Sequence, residues 1–185
     1  MRYLVISDIH ENFNNLYHCL EFAKAEDLEN GFVLGDLINP GIVHRLGKSG
    51  IHFKIVLGNN DGDKVALTKA ALEYKLELYD FYWKGLVDGK KVVLVHYNEL
   101  ASPIAMSGVF TAVFCGHNHV FNLDLKHNKT LLFNPGELSG HMFGKATFGV
   151  WDSQKNEGEI YELVRGKVDV KQKPAASIIK QLEFS

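Results

Sequence analysis

Short apolar runs alternate with amphipathic stretches along the first half of the chain. Three runs have the length and continuous apolar character of buried strands: 2–7, 31–36 and 52–59. Three stretches repeat apolar residues at helical spacing: 14–26, 41–50 and 63–75. This order of strand and helix predicts a parallel sheet flanked by helices.

The second half of the chain has the alternation of β-hairpins. Three segments show it: 85–96 with Asp88-Gly89 at the turn, 123–136 with His127-Asn128 at the tip, and 145–164. Together the two halves predict a single-domain α/β fold of two mixed β-sheets packed face to face with helices outside, a four-layer αββα sandwich. We place this domain at 1–165. We expect 166–185 to be a C-terminal extension that docks on the domain or contacts another copy in a homo-oligomer.

The composition is that of an ordinary globular protein. Of the 185 residues, 46% are hydrophobic, and the formal net charge is −2. This balance gives no basic face for nucleic acid, so a nucleic-acid partner is not expected. Cys19 and Cys115 lie in apolar stretches and are interpreted as core thiols. No signal sequence or membrane-spanning run is apparent, which predicts a cytoplasmic protein without a membrane partner.

Polar, metal-competent residues follow five of the apolar strand-like runs: Asp8 and His10, Asp36, Asn59 to Asp61, His96, and His117 with His119. Each alone has a plain structural explanation as a helix cap, a turn residue or a buried histidine. Ligands of open α/β sheets bind beyond the carboxyl ends of the strands, so these loops are expected to meet in one crevice. Their joint occurrence favours a functional site over coincidence.

The spacing within this set suits metal ions. Residues at i and i+2 share a face if the backbone stays extended, so two such pairs, Asp8 with His10 and His117 with His119, could each point two ligands one way. Four histidines, two aspartates and an amide exceed one tetrahedral metal, which predicts two adjacent ions with Asp36 bridging them at ~3.5–4 Å. Nitrogen and oxygen ligands without thiolate suit Mn²⁺, Ni²⁺, Co²⁺, Fe²⁺ or Zn²⁺, of which Mn²⁺ is the expected ion. Two such ions would leave the site positive and attract an anion.

The ordered motifs "DIH" at 8–10, "GD" at 35–36, "GNND" at 58–61, His96 and "GHNH" at 116–119 resemble those of the calcineurin-like metallophosphoesterase family. "NPGE" at 134–137 resembles the NPG turn of its small prokaryotic phosphodiesterase branch, which includes the retromer-subunit relatives. The resemblance implies a hydroxide that bridges two metals and attacks phosphorus. It also implies two ligand sets that share Asp36: Asp8, His10 and His119 for one metal, and Asn59, His96 and His117 for the other.

The resemblance extends to residues around the metals. It implies that the loop of Asn59, Asn60 and Asp61 takes part in catalysis with Asp36, and that Asn12 lies near the substrate. Many family members have His where this chain has Asn60, and an amide cannot deliver a proton to a leaving group. Esters with poor leaving groups should therefore suffer most. Tyr97 follows His96 and is either a rim residue or a surface on which a base or aryl group of the substrate stacks.

The function predicted is hydrolysis of a small phosphodiester by a divalent-metal-dependent phosphodiesterase. A non-catalytic scaffold or protein-interaction module of the same fold is the alternative, although every expected ligand position is filled. A nuclease is disfavoured by the lack of a basic groove. A protein phosphatase is disfavoured because the three arginines, Arg2, Arg45 and Arg165, lie outside the motif loops. The walls of the substrate pocket are expected to be made by loops such as 37–50 and 97–110. The natural substrate and the oligomeric state stay open.

Overall fold

The computed structural model describes residues 1–164, 167–172 and 182–183. Four helices are present among them: α1 (Phe13–Ala25), α2 (Pro40–Lys48), α3 (Lys64–Glu73) and α4 (Asn98–Met106). The strands are β1 (Arg2–Ile6), β2 (Asn30–Val33), β3 (His52–Val56), β4 (Glu77–Tyr79), β5 (Tyr82–Val87), β6 (Lys90–Val95), β7 (Ala112–Phe114), β8 (Asn122–Leu125), β9 (Leu131–Asn134), β10 (Ala146–Asp152), β11 (Glu157–Val164), β12 (Lys167–Gln172) and β13 (Leu182–Glu183). The predicted single α/β domain with two mixed sheets is confirmed.

The larger sheet has the order β13-β12-β11-β10-β1-β2-β3-β4. Strands β1 to β4 pair in parallel, as the first half of the sequence predicts, while β10 pairs antiparallel with β1 and with β11. Strands β12 and β13 come from the range 166–185 and continue this sheet. Apart from these two strands, that range, including most of the predicted docking segment at 175–185, lies outside the described residues.

The smaller sheet has the order β5-β6-β7-β9-β8. The predicted hairpins of the second half are present as the antiparallel pairs β5–β6, β8–β9 and β10–β11. The first two belong to this sheet, but the third joins the larger sheet. Strand β7 pairs in parallel with both neighbours. Each sheet is therefore mixed, and the antiparallel half of the sequence is divided between them.

Three layers of buried apolar side chains hold the sandwich together. Between the sheets, Phe32 of the larger sheet packs on Phe114 of the smaller one at 5.1 Å between ring centroids, and Trp151 packs on Phe114 at 5.2 Å. Helices α1, α2 and α3 cover the outer face of the larger sheet, and α4 covers the smaller one. Burial of these side chains is the main favourable term in the stability of the fold.

Helices α1, α2 and α3 begin in the loops that follow β1, β2 and β3. Each starts after a polar cap, because the side chains of Asn12, Asn39 and Asp63 accept a hydrogen bond from a backbone N–H of the first turn. Pro40 at the start of α2 fits the same rule. These caps fix where each loop ends and the helix begins. The conformations available to the site residues within the loops are therefore restricted.

Helix α4 replaces most of the loop predicted at 97–110. It buries only two small residues, Ala101 and Ala105, against the smaller sheet and contains Pro103. The capping residue Tyr97 provides no side-chain hydrogen bond. An internal proline and the lack of a polar N-cap remove two of the features by which helices are recognised in a sequence. Within the described part of the chain, no helix has the length and apolar character needed to cross a membrane.

Candidate metal centre

The strand ends named in the sequence analysis meet at one edge of the sandwich. Strands β1, β2 and β3 stop two to three residues before Asp8, Asp36 and Asn59, and β6 and β7 bring His96 and the 117–119 loop from the other sheet. Backbone hydrogen bonds tie these loops to each other: Asp8 N–H to Gly35 O at 3.1 Å, His10 N–H to Asp36 O at 3.0 Å, and Gly116 N–H to His96 O at 2.9 Å. The two sheets therefore build the site jointly.

Four of the predicted ligands form a first group: Asp8, His10, Asp36 and His119. Each has a ligand atom within 4.8 Å of one on every other member. His10 Nε2 lies 3.3 Å from His119 Nε2 and 3.5 Å from Asp36 Oδ2. His119 Nε2 lies 3.5 Å from Asp8 Oδ1. The atoms converge on one small space.

The remaining predicted ligands form a second group around His96. Its Nε2 atom lies 3.0 Å from Asn59 Oδ1, 3.2 Å from His117 Nδ1 and 3.6 Å from Asp36 Oδ1. Asp36 thus turns Oδ1 to this group and Oδ2 to the first one. One buried carboxylate faces both histidine pairs, in the position that the sequence predicts for a bridge.

The backbone of the site is not extended. Asp8, His10, Asp36, His117 and His119 have φ of 51°, 43°, 56°, 73° and 62°. The extended backbone expected for the i, i+2 pairs is therefore absent. Asp8 and His10 nevertheless face the same group, whereas His117 turns to the second group and His119 to the first. Left-handed conformations of non-glycine residues cost about 1–3 kcal/mol each and collect at functional sites.

The hydrogen bond of His96 to the backbone leaves Nε2, the ring nitrogen that faces the site, without a proton. The ring is fully buried, and its Nδ1 lies 2.6 Å from the carbonyl oxygen of Leu34, to which it donates. In the neutral ring Nε2 is then an acceptor, and it faces the oxygen of Asn59, which is also an acceptor. Two acceptors at this separation repel each other unless a cation lies between them.

Asp8, like His96, has an acceptor atom that a cation would satisfy. Its Oδ2 accepts hydrogen bonds from the Ser7 hydroxyl at 2.6 Å and the His117 N–H at 3.0 Å. Its Oδ1 is buried and has no hydrogen-bond partner. Burial raises the pKa of Asp8, although the Ser7 hydrogen bond and the nearby histidines oppose this. A cation would satisfy the orphaned oxygen, because buried polar atoms otherwise lack compensation for lost water. The residues present fit a metal.

The loop after β3 holds Asp36 in place. Asn60 donates its N–H to Asp36 Oδ1 at 2.9 Å and its side-chain amide to Oδ2 at 2.7 Å. Asp61 is buried, and its two oxygens accept the N–H groups of Asp36, Gly58 and Ile38 at 2.7–2.9 Å. Burial raises the pKa of Asp61, against the effect of these N–H groups. Both carboxylate oxygens of Asp61 are engaged by backbone.

Two predicted substrate-contacting residues occupy different surroundings. Asn12 uses both ends of its amide: Oδ1 caps α1, and Nδ2 donates to Ser139 O at 2.8 Å. The Tyr97 ring stands edge-on to the rings of His96 and His117, with centroids at 5.2 and 5.1 Å, and the exposed Phe81 ring lies 6.1 Å away. Tyr97 therefore borders the second ligand group, whereas Asn12 joins α1 to the segment after β9.

Sequence reasoning missed the role of Glu137. This residue is fully buried and accepts hydrogen bonds from His119 Nδ1 at 2.9 Å and Ser139 Oγ at 2.7 Å. Burial by itself would raise its pKa, but the hydrogen bonds from Ser139, His119 and the N–H groups of Phe143 and Met142 lower the pKa to about 2. The one signal in the sequence is an acidic residue directly after "NPG", at the end of a strand.

Comparison with known proteins agrees with the motifs and the geometry. Residues 1–156 match the family model described as the Calcineurin-like phosphoesterase superfamily domain. The chain belongs to this superfamily. The family match confirms the resemblance on which the two ligand sets rest, and the members of the family depend on metals.

Two curated relatives of this superfamily member carry enzyme names. Phosphodiesterase MJ0936 of Methanocaldococcus jannaschii is 25% identical over 162 residues, which cover 85% of this chain and 96% of the relative. A symmetrical bis(5'-nucleosyl)-tetraphosphatase of Buchnera aphidicola is 29% identical over 156 residues, which cover 68% of this chain and 55% of that protein. The first of these homologues matches nearly end to end.

Solved structures show the same fold. A structure of an archaeal phosphodiesterase has a TM-score of 0.82 at 24% identity and covers 88% of this chain and 100% of its own. Vacuolar Protein Sorting 29 of Cryptosporidium parvum has a TM-score of 0.71 at 17% identity, covering 99% and 98%. YfcE, a phosphoesterase from E. coli, has a TM-score of 0.67 at 20% identity and covers all of both chains. The fold class predicted from the sequence is confirmed.

Proposed function

We propose that this protein hydrolyses small phosphodiesters at a centre of two divalent transition-metal ions. The observation that carries the proposal is the division of the ligands around Asp36. His10 and His119 lie on the side of its Oδ2, and His96 and His117 lie nearer to Oδ1. Metal–nitrogen bonds of ~2.0–2.1 Å place two nitrogens of one ion about 3.0–3.4 Å apart. The two histidine pairs have nitrogens 3.3 and 3.2 Å apart.

The residues would hold the ions as two sets that share one bridge. Asp8, His10 and His119 would bind one ion, Asn59, His96 and His117 the other, and Asp36 both. Nitrogen and oxygen ligands without thiolate suit Mn²⁺, Fe²⁺, Ni²⁺, Co²⁺ and Zn²⁺, and of these we propose Mn²⁺. When bound, such ions act as Lewis acids that lower the pKa of a water molecule and stabilise charge on phosphoryl oxygens.

The chain's own residues shape what the site can hydrolyse. Asn60 lies at a position where a general acid could protonate the leaving group, but its amide is hydrogen-bonded to Asp36 and is too weak an acid to transfer a proton. A diester whose leaving group needs no protonation therefore suits the site best. Tyr97 and Phe81 form an aromatic border beside the second ligand set, against which an aryl or base substituent of the diester would lie.

The test is hydrolysis of bis(p-nitrophenyl) phosphate by protein stripped of metal, with and without added Mn²⁺, beside the monoester p-nitrophenyl phosphate. We expect turnover that depends on Mn²⁺ and favours the diester. Asp36→Asn, which removes one charged oxygen of the bridge, should abolish it. Faster turnover of the monoester would overturn the diester preference, and an active Asp36→Asn variant would overturn the shared bridge.

A non-catalytic scaffold is the second candidate, favoured by the likeness in fold to Vacuolar Protein Sorting 29 over nearly the whole chain. The complete set of ligand positions argues for the enzyme. Absence of turnover with Mn²⁺, Ni²⁺, Co²⁺, Fe²⁺ and Zn²⁺, from protein shown to be folded, would favour the scaffold and direct the search to a protein partner.

A further inference from the structure

The Glu137 carboxylate accepts hydrogen bonds from two separate parts of the chain. From one side His119, a proposed metal ligand, approaches with Nδ1 at 2.9 Å from Oε2. From the other, the segment 139–143 folds back so that its donors surround the carboxylate. These are Ser139 Oγ at 2.7 Å and the N–H groups of His141 at 3.0 Å, Met142 at 3.0 Å and Phe143 at 2.8 Å. No part of Glu137 is exposed to solvent.

An ionised carboxylate only accepts hydrogen bonds, so the contact with Glu137 places the His119 proton on Nδ1. Nε2 then keeps its lone pair. That atom faces Asp8 Oδ1 at 3.5 Å and His10 Nε2 at 3.3 Å, within the first ligand group. Asp8 Oδ1 is the buried oxygen without a hydrogen-bond partner. The orientation of one ring therefore depends on a residue outside the ligand set.

We propose that Glu137 is a positioning residue of the metal centre, which fixes His119 as the Nδ1–H tautomer with Nε2 ready to bind the first metal. This proposal rests on the metal centre of the proposed function. Partners of this kind orient the ring and raise its basicity, and their loss typically lowers metal affinity about 10–100-fold. Glu137 itself contacts neither metal nor substrate in this role.

The two oxygens of Glu137 have different sets of partners, and only Oε2 contacts His119. Oε1 accepts the N–H groups of Met142 and Phe143 at 3.0 and 2.8 Å. Oε2 accepts from His119 and Ser139, and also from the N–H groups of His141 at 3.0 Å and Met142 at 3.1 Å. Removing the Ser139 hydroxyl takes one donor from the same oxygen and leaves the histidine contact, so Ser139→Ala is a matched control for Glu137→Gln.

The experiment measures the tautomer and the metal affinity separately. ¹⁵N spectra of histidine-labelled, metal-free protein, with the His119 signals assigned by comparison with His119→Gln, report which ring nitrogen carries the proton. Calorimetric titration with Mn²⁺ alone reports the two affinities. We expect an Nδ1–H tautomer in the wild type and in Ser139→Ala. In Glu137→Gln we expect loss of that tautomer and about 10–100-fold weaker Mn²⁺ binding at one site, with the other site retained.

Three results would overturn the proposal. One is an Nε2–H tautomer of His119 in the metal-free wild type, a measurement that needs no variant and decides the matter even if Glu137→Gln does not fold. Another is a folded Glu137→Gln with unchanged tautomer and both Mn²⁺ affinities intact. The third is an equal loss in Glu137→Gln and Ser139→Ala. Metal binding without diester turnover, for Mn²⁺, Ni²⁺, Co²⁺, Fe²⁺ and Zn²⁺ alike, would instead refute the proposed function and leave this proposal standing, since the tautomer is read without metal or substrate.

Discussion

At the scale of single residues, Glu137 lies outside the predicted ligand set but accepts a hydrogen bond from His119 Nδ1 at 2.9 Å. Asp8, Asp36 and His119 could be predicted to share one site because they follow apolar runs and lie within short motifs. Glu137 could not, because its role depends on a segment that folds back on it and on a histidine 18 positions away. Residues that support a site through distant hydrogen bonds leave little local pattern in the sequence.

Asn60→His should raise activity selectively on esters with poor leaving groups. A histidine can deliver a proton where the amide cannot, and general acid catalysis is worth ~10²–10⁴ in rate. We expect kcat/KM to rise for a diester with an alkyl leaving group and to change little for bis(p-nitrophenyl) phosphate. Asn60→Gln, which keeps the amide, is the control. Equal gains on both esters would contradict proton delivery.

Gly116→Ala should disturb the predicted metal centre by steric clash, although residue 116 is not a predicted ligand. A Cβ at Gly116 would lie 1.9 Å from Ser7 Oγ and 2.7 Å from Asp8 Oδ2, so Asp8 would have to move. We expect a loss of about 1–3 kcal/mol in the free energy of unfolding, measured with urea, and weaker Mn²⁺ binding. At Gly62 a Cβ meets nothing within 4 Å, so Gly62→Ala should have little effect on either quantity. A Gly116→Ala variant as stable as Gly62→Ala would contradict this close approach.

At the scale of elements, the sequence predicts those with strong periodicity or turn chemistry. The β5–β6 hairpin is an example, because Asp88 and Gly89 adopt the positive φ values of 49° and 76° that such a turn requires. Helix α4 is the counterexample, since its buried residues are alanines and the smaller sheet provides most of its stabilisation. Packing partners that are remote in sequence decide elements of that kind.

Asn128 links the β8–β9 hairpin to α4 and gives a test of that connection. Its side-chain amide donates to the carbonyls of Ala105 at 2.8 Å and Met106 at 3.2 Å, which lie in the last turn of the helix. Such carbonyls have no partner within the helix. Asn128→Ala should lower the free energy of unfolding by about 1 kcal/mol in urea, and His127→Ala, at the adjacent tip position, by much less. Equal effects would show that the tip does not hold α4.

At the scale of the whole molecule, the division of strands between the sheets goes beyond what hairpin patterns can show. The pattern at 145–164 predicts an antiparallel pair but not its neighbour, which is β1. The consequence for the site is large, because predicted ligands from both sheets meet at one edge. The centre therefore exists only when both sheets are formed and packed.

Metal binding should accordingly stabilise the entire fold. A ligand that binds only the folded state at 100 times its Kd adds about 2.7 kcal/mol, or roughly 5–10 °C in Tm per site for a chain of this size. We expect Mn²⁺ to raise the Tm of the metal-free protein by this order, EDTA to reverse the rise, and equal Mg²⁺ to give less. The rise should shrink in Asp36→Asn, which weakens both sites. If Mn²⁺, Ni²⁺, Co²⁺, Fe²⁺ and Zn²⁺ all left the Tm unchanged, the strand-end residues would not form a metal centre, because ligands drawn from both sheets must couple binding to folding.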